Sequence, residues 1–304
     1  MKITTYRELQ SKEELLPLFQ HAFWWPFNPM VFDKTIRADP RLRNSPVGYV
    51  AIIDNQVAGF VGVMDIQTRT LQESEEIVGG IWGVVTHPVH ARQGIFKALM
   101  QRSHDYFREQ GYKFSFLYTS KILIAYTFYR KLGYKDAIVY SSAYKVIKDP
   151  RKTAKETRKK CKADWDRLLE LYNRVTRNYT GFVIRDKQYG KMLAARKKIQ
   201  PAKSIESDKG YALLRESEGN MYVRELVALT REEVNKLIAQ IEEKTAKTVV
   251  DEKVLGKNTL NTYQSRGYMI ITEGYDLLMS KQLTDATLEE TYGEEFYATS
   301  ADSF

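Results

Sequence analysis

The sequence predicts an α/β chain, a mixed sheet flanked by helices, with that unit built twice. Three observations predict it. Strand-like apolar runs alternate with amphipathic helical runs along residues 1–148, and again along 164–283. The run "EEIVGGIWGVV" at 75–85 is apolar beyond its first two residues, as a central strand covered on both faces should be. Tyr129, Gly133 and Tyr134, before the extended run "AIVYSSAYKVI", recur as Tyr263, Gly267 and Tyr268 before "YMIITEGYDLLMSKQL".

In chain order, "KITTYREL" reads as a first strand. Ser11 and Glu14 have capping-box spacing for a helix from Lys12 to Ala22. "FWWPFNP" interrupts, and Pro29 opens a second short helix to about Ile36. Two strands follow, joined at Asp54-Asn55, a hairpin signal. After the apolar strand comes a helix from Gly94 to Gln110, stopped by Gly111. "KFSFLYT" is a strand, "ILIAYTFYRKLG" a helix, and "AIVYSSAYKVI" one final strand.

In the second half, "DWDRLLELYNRV" and "RDKQYGKMLAA" read as helices. "GYALLRES" and "MYVRELVALT" form a hairpin about Glu218-Gly219-Asn220, and Thr230 with Glu233 caps a helix to about Thr245. "TAKTVVDEK" is a strand, "NTLNTYQSRG" a short helix, and "YMIITEGYDLLMSKQL" closes the regular structure.

Composition narrows the class. A chain of 304 residues is comfortable for two domains. No run of 18 apolar residues exists, so no membrane span is expected. The start "MKITTYRELQ" lacks a signal-peptide core, and Cys161 is the only cysteine, so a reducing cytoplasm is expected. The four histidines lack zinc-ligand spacing, so no metal is expected. The net charge is +9, but the cations are dispersed apart from "KDPRKTAKETRKKCK". That run reads as a solvated linker, 149–163, rather than a nucleic-acid contact. Residues 284–304 hold six acids and no Lys or Arg, an acidic tail on a basic body. Such a tail is free to fold back, to stay solvated or to meet another copy in a homo-oligomer.

The chemistry concentrates in "HPVHARQGIF", residues 87–96, between the apolar strand and the helix. A helix N-terminus offers unpaired N–H groups and the positive end of the macrodipole, which suits a pyrophosphate. Gly94 permits close backbone approach, Arg92 adds a cation and Gln93 an amide donor. The plainer alternative is a turn with glycine for geometry.

Here the sequence resembles the GNAT superfamily of N-acetyltransferases. Pro88 stands six residues before Gly94, and "AYTFYRKLGY" at 125–134 resembles the family's second motif. There are departures: Ala91 where the family has Arg or Gln, Phe96 where it has a small residue, and Ile122 where Asn is frequent. A bulky residue at the position of Phe96 resembles the enhanced-intracellular-survival branch, whose members carry tandem GNAT domains. The resemblance implies an acetyl-CoA-dependent N-acetyltransferase acting on an amine. Acetyl-CoA would lie against Val84, Val85 and Thr86 and against Thr119 and Ser120, with the pyrophosphate on Arg92, Gln93, Gly94, Ile95, Phe96 and Lys97. Tyr129 matches the acid that protonates the leaving thiolate, although a core aromatic would also fit that position. Glu75 and Glu76 are the nearest carboxylates on the apolar strand and read as solvated. The branch also implies a chain-terminal carboxylate as base, here that of Phe304. Phe23, Trp24, Trp25 and Phe27 fall where the family places the acceptor side. They are either core or an aromatic wall for the substrate.

The second copy has no glycine at the matching junction, "VALTREEV", and Glu232 and Glu233 fill its first helical turn. It reads as a degenerate GNAT-like domain, 164–283. The expectation is thus one acetyl-CoA site, with a non-catalytic acyl-CoA-binding sensor as the alternative.

Overall fold

The computed structural model describes residues 1–148, 164–197, 199 and 204–304. The basic run at 149–163, with Cys161, lies outside the described residues. The chain begins with β1 (Lys2–Thr5), α1 (Leu15–Phe23) and α2 (Pro29–Ala38). It continues through β2 (Gly48–Ile53), β3 (Gln56–Arg69), β4 (Glu75–Thr86), α3 (Ile95–Glu109), β5 (Phe114–Ser120) and α4 (Ile124–Lys131). Then come β6 (Lys135–Val139), β7 (Ser141–Val146), α5 (Trp165–Val175), β8 (Thr180–Gly181), α6 (Tyr189–Lys197) and β9 (Ile205–Glu206). The remainder is β10 (Gly210–Ser217), β11 (Asn220–Ala228), α7 (Arg231–Lys244), β12 (Thr248–Val254), α8 (Lys257–Ser265), β13 (Met269–Ile271), β14 (Asp276–Gln282), α9 (Leu288–Tyr292) and β15 (Phe296–Tyr297).

The expected elements are present, with three differences. Ser11 makes no cap, and Lys12–Glu14 is a 3-10 turn ahead of α1. The single strand expected at 137–147 is two strands, β6 and β7, broken at Tyr140, and the extended strand expected within 268–283 is likewise two, β13 and β14, in different sheets. Regular structure continues beyond Gln282, because Thr287 and Glu290 form a true capping box for α9.

The break at Tyr140 has a topological cause. The first sheet runs β1-β2-β3-β4-β5-β14-β6 and the second β13-β7-β12-β11-β10-β9. Each half therefore lends one strand to the other: β14 lies between β5 and β6, and β7 between β12 and β13. The two crossing segments meet where Gly274 N–H donates to the Tyr140 carbonyl at 2.8 Å. A Cβ on Gly274 would stand 2.7 Å from that carbonyl oxygen, which is backbone and cannot rotate away. Gly274→Ala is expected to cost about 2 kcal/mol, the range of overpacking, read as a lower denaturant midpoint at unchanged slope.

The echo between the halves is also geometric. Tyr134 N–H donates to the Tyr129 carbonyl, and Tyr268 N–H to the Tyr263 carbonyl, both at 3.1 Å. Gly133 and Gly267 carry the left-handed φ, +89° and +76°, that ends each helix.

The first sheet is covered on both faces. One face packs α1, α2 and the C-terminal segment through Phe19, Phe60, Trp82 and Phe116. The other packs α3 and α4 through Leu99, Phe107, Leu117 and Tyr134. Within this second layer His104 Nε2 and Ser115 Oγ both meet the Tyr134 hydroxyl, at 2.9 and 2.7 Å. Burial, helped by Lys281 and Arg108, pushes His104 down to about 3. Its ordinary value is about 6.5. Protonation therefore favours the unfolded chain, and stability is lost as pH falls from about 6.5 toward 3. At pH 5 the loss is about 2 kcal/mol. His104→Gln should flatten the fall of Tm between pH 7 and 5.

Candidate active site

The site is a gap in the sheet. β4 and β5 run parallel but pair only at Gly79–Ser115, Gly80–Phe116 and Ile81–Leu117. Beyond those pairs the strands diverge. β5 stays paired with β14 up to Ser120, and β4 stays paired with β3 up to Thr86. The divergence begins at a bulge: between Gly62–Trp82 and Phe60–Val85 the register shifts, and Gly83 there takes φ +58°. An extra residue at left-handed φ bends β4 off its neighbour. Among the described residues, Val84, Val85 and Thr86 thereby have no strand partner on the β5 side, where that strand continues to Thr119 and Ser120.

The loop after β4 stands at the mouth of this gap. Pro88–His90 is a 3-10 turn, Arg92 takes φ +64°, and Gly94, at φ +80°, is the N-cap of α3 without any side-chain cap. A Cβ on Gly94 would meet nothing within 4 Å, so the glycine is required by its φ and opens on free space. The first turn of α3 holds no acid. Arg92, Gln93 and Lys97 are exposed, whereas Ile95 is buried and offers only its backbone. The N–H groups of this turn thus face outward, unneutralised, with two cations beside them.

Phe96 explains its own departure from the small residue of the motif. Its ring packs against Phe128 and Tyr129 of α4, with centroids 5.9 and 6.1 Å away. The bulky side chain ties the loop to the helix that carries Tyr129. Tyr129 is 7% exposed, and burial pushes its phenol up to about 12.

The opposite face of the gap is occupied by the C-terminal segment. The Phe304 ring lies edge-on to Tyr118 of β5 at 5.1 Å, and a Cβ on Gly80 would stand 3.2 Å from it. The tail is anchored by charge. Arg185 is buried between the rings of Tyr172 and Tyr189, with its carbon 3.5 and 4.3 Å from their centroids. It pairs with Glu225 at 2.6 Å and with Asp302 at 2.9 Å. Asp302 also accepts from the Thr299 N–H and hydroxyl and from the Tyr189 hydroxyl, while its carbonyl accepts from Arg41. Burial alone would raise the Asp302 carboxyl, but Arg185 and these hydrogen bonds hold it below its ordinary value. The acidic tail is therefore folded onto the body. The sequence carried a signal for this in Gly79-Gly80, whose missing side chains admit Phe107 on one face and Phe304 on the other.

The aromatic segment divides. Phe27 is buried, and Trp25 stacks on Phe19 at 5.0 Å, so both belong to the core. Phe23 and Trp24 remain at the surface, Trp24 85% exposed at φ +52°. Glu75 and Glu76 stand at the far end of β4, and Glu76 pairs with Lys113 at 2.6 Å.

Among the described residues no helix is long and apolar enough to cross a membrane. A family model described as an acetyltransferase (GNAT) domain matches residues 5–137. A search of curated proteins returned no match. Among solved structures, a GCN5-related N-acetyltransferase from Kribbella flavida is similar at 17% identity and TM-score 0.66, covering 93% of this chain and 72% of its own. A probable N-acyltransferase from Enterococcus faecalis is similar at 17% identity and TM-score 0.63, with coverage of 93% and 72%. Eis1 from Mycobacterium abscessus is similar at 18% identity and TM-score 0.56, with 93% and 74% covered. At these identities the solved structures speak for the fold, which extends over both sheets. Residues 5–137 thus match the GNAT acetyltransferase domain, and the chain as a whole is similar in fold to these solved N-acetyltransferase structures.

Proposed function

We propose that the chain is an N-acetyltransferase that moves an acetyl group from acetyl-CoA to a primary amine by direct attack, with both substrates bound together. The observation that carries this is the gap between β4 and β5. It has an uncapped, acid-free helix start at its mouth, Tyr129 on one face and Phe304 on the other.

The residues present fit acetyl-CoA. Arg92, Gln93, Gly94, Ile95, Phe96 and Lys97 would hold the pyrophosphate through backbone N–H groups and two cations. Val84, Val85, Thr86, Thr119 and Ser120 would hold the pantetheine arm through backbone left free by the divergence. Bound there, acetyl-CoA supplies an activated acyl carbon with a thiolate as leaving group.

The remaining chemistry belongs to the chain. Tyr129 Oη holds the proton the departing thiolate needs; a phenol at about 12 is fully protonated at neutral pH. On the other face, the terminal carboxylate of Phe304 takes the proton of the attacking amine. Phe23 and Trp24 present aromatic surface to the acceptor, backed by Trp25 and Phe27. The acceptor is an amine, whether a polyamine-like or aminoglycoside-like molecule or a protein amine. No metal enters this reading. The cytoplasmic setting read from Cys161 is part of the same proposal.

The test is thiol release from acetyl-CoA with an amine panel. The wild type should release thiol only when an amine is present. Gly94→Asp places a carboxylate where the pyrophosphate would sit and should raise KM for acetyl-CoA at least tenfold. Binding of acetyl-CoA without turnover on any amine would overturn the enzyme reading in favour of a sensor.

A further inference from the structure

β3 is left bare along part of one edge. Its other edge is paired with β4 from Gly59 to Arg69. On the bare side β2 pairs only as far as Gly62, Val63 N–H donates to the Val47 carbonyl at 3.0 Å, and β8 meets the strand again only at Arg69–Gly181. Backbone direction alternates along an antiparallel strand. Asp65 and Gln67 therefore aim their N–H and C=O groups the way Val63 does, away from β4. Among the described residues neither has a strand partner there. From Val63 to Arg69 the strand spans about 20 Å, so an added strand of about three residues fits between the Val47 and Gly181 contacts.

This edge opens on a cavity of about 430 Å3 at the C-terminal end of α3, bounded also by Asn44, Tyr106, Gln110 and Phe182. Ligand sites run to roughly 300–1,000 Å3. Two arginines and three aspartates line the cavity, one net negative charge. Arg41 is settled by a two-pronged contact with Asp39, and Asp302 by Arg185. Arg43 and Asp186 are exposed, one charge of each sign, and both bond Gln188. That leaves Asp65. It accepts from the Tyr106 hydroxyl at 3.1 Å but, among the described residues, forms no ion pair. Arg7 acts on it from a distance, its guanidinium donating instead to the Leu42, Arg43 and Ser45 carbonyls. Burial pushes the Asp65 carboxyl up, against the pull of the Tyr106 and Tyr112 hydroxyls. A half-buried carboxylate held by hydroxyls alone is stabilised by an ammonium.

The register sets what an occupant must carry. In an antiparallel pair, residues directly opposite one another share a face. Tyr106 of α3 reaches the Asp65 carboxylate, so Asp65 and Gln67 point toward the α3 layer. Ile66 between them points the other way and is buried with Phe182 in the layer that holds α1 and α2. A residue opposite Asp65 thus presents its side chain to the carboxylate, one opposite Gln67 meets an amide, and the residue between must be small.

We propose that the bare edge of β3 takes up an extended peptide as an added antiparallel strand, with a lysine opposite Asp65, a polar residue opposite Gln67 and a small residue between them. The backbone of Asp65 and Gln67 supplies affinity, and the lysine supplies selectivity. The inference does not rest on the acetyltransferase reading.

The test is titration calorimetry of the full chain, without acetyl-CoA, with acetyl-Ala-Gln-Ala-Lys-Ala-amide. Saturable binding at one site is expected. Methylating the amide nitrogen of the glutamine removes a bond to β3 and should weaken binding about tenfold. Methylating that of the central alanine, which faces away from β3, should leave binding as it was. Norleucine in place of lysine should cost about tenfold. In Asp65→Asn, which keeps an acceptor for the Tyr106 hydroxyl, the lysine and norleucine peptides should bind alike. The thermal midpoint checks that this variant folds; if it does not, the two methylated peptides still decide. No saturable binding, equal weakening by the two methylations, or a lysine preference that survives Asp65→Asn would each overturn the proposal.

Discussion

Tyr129→Phe is expected to lower kcat for amine acetylation about 100-fold or more, the usual contribution of a positioned general acid, with KM for acetyl-CoA little changed. The phenol ring packs between Phe96 and Tyr134. Phenylalanine keeps those contacts, so the thermal midpoint should move little. A core aromatic with no role in proton transfer would leave kcat intact, so the same variant decides between the two uses of this position. The pH profile adds a second readout. Burial raises the phenol to about 12, so wild-type kcat should show no alkaline fall from Tyr129 below that pH. An alkaline limb near pH 10 in the wild type would assign the proton to a more exposed group. In Tyr129→Phe the thiolate leaves unassisted, so acetyl thioesters of more acidic thiols should react with a smaller penalty than acetyl-CoA does.

How much of this was legible in the sequence depended on range. Local signals were readable. The hairpin at Asp54-Asn55 forms with both residues at positive φ, and Asn28 caps α2 ahead of Pro29. Thr230 caps α7 as its spacing predicts. Gly94 opens the loop and Gly133 closes α4. What was not readable was exchange between the halves. "AIVYSSAYKVI" has the alternation of one continuous strand, and nothing in it shows that β7 pairs with β12 and β13. Strand pairing is non-local, and pattern reports which face is buried rather than which neighbour buries it. The crossing does leave one trace, Gly274 within an otherwise strand-like run. The bulge at Gly83 was hidden for a similar reason: in "GGIWGVV" three glycines look alike. Only the structure shows that two make room for rings and the third bends the strand. Phe96 was legible as an exception, while its partner Tyr129 lies more than thirty residues on. The tail was misread at its end because acidity outweighed pattern. Thr287 to Glu290 is a capping box in plain sight.

If the terminal carboxylate takes the amine proton as proposed, extending the chain beyond Phe304 by two glycines should lower kcat at least tenfold while leaving folding intact, because the Phe304 ring keeps its place against Tyr118. Deleting residues 301–304 is a harsher experiment with a different expected signature. It removes Asp302, so Arg185 keeps, among the described residues, only Glu225 as its carboxylate partner, and Arg41 loses the Asp302 carbonyl. Breaking a buried charged network in this way costs about 3–5 kcal/mol, so activity and stability should fall together. Asp302→Ala isolates the second effect: stability falls by a similar amount, while the chain still ends at Phe304. The comparison of the three separates anchoring from chemistry. If the glycine extension retains full kcat across the amine panel, the terminal carboxylate takes no proton, and the tail serves only to close the α1–α2 face of the gap. If it loses kcat with an unchanged Tm, and KM for acetyl-CoA holds, the loss lies on the acceptor side of the reaction. That is the side on which the Phe304 ring lies, across the sheet from Tyr129.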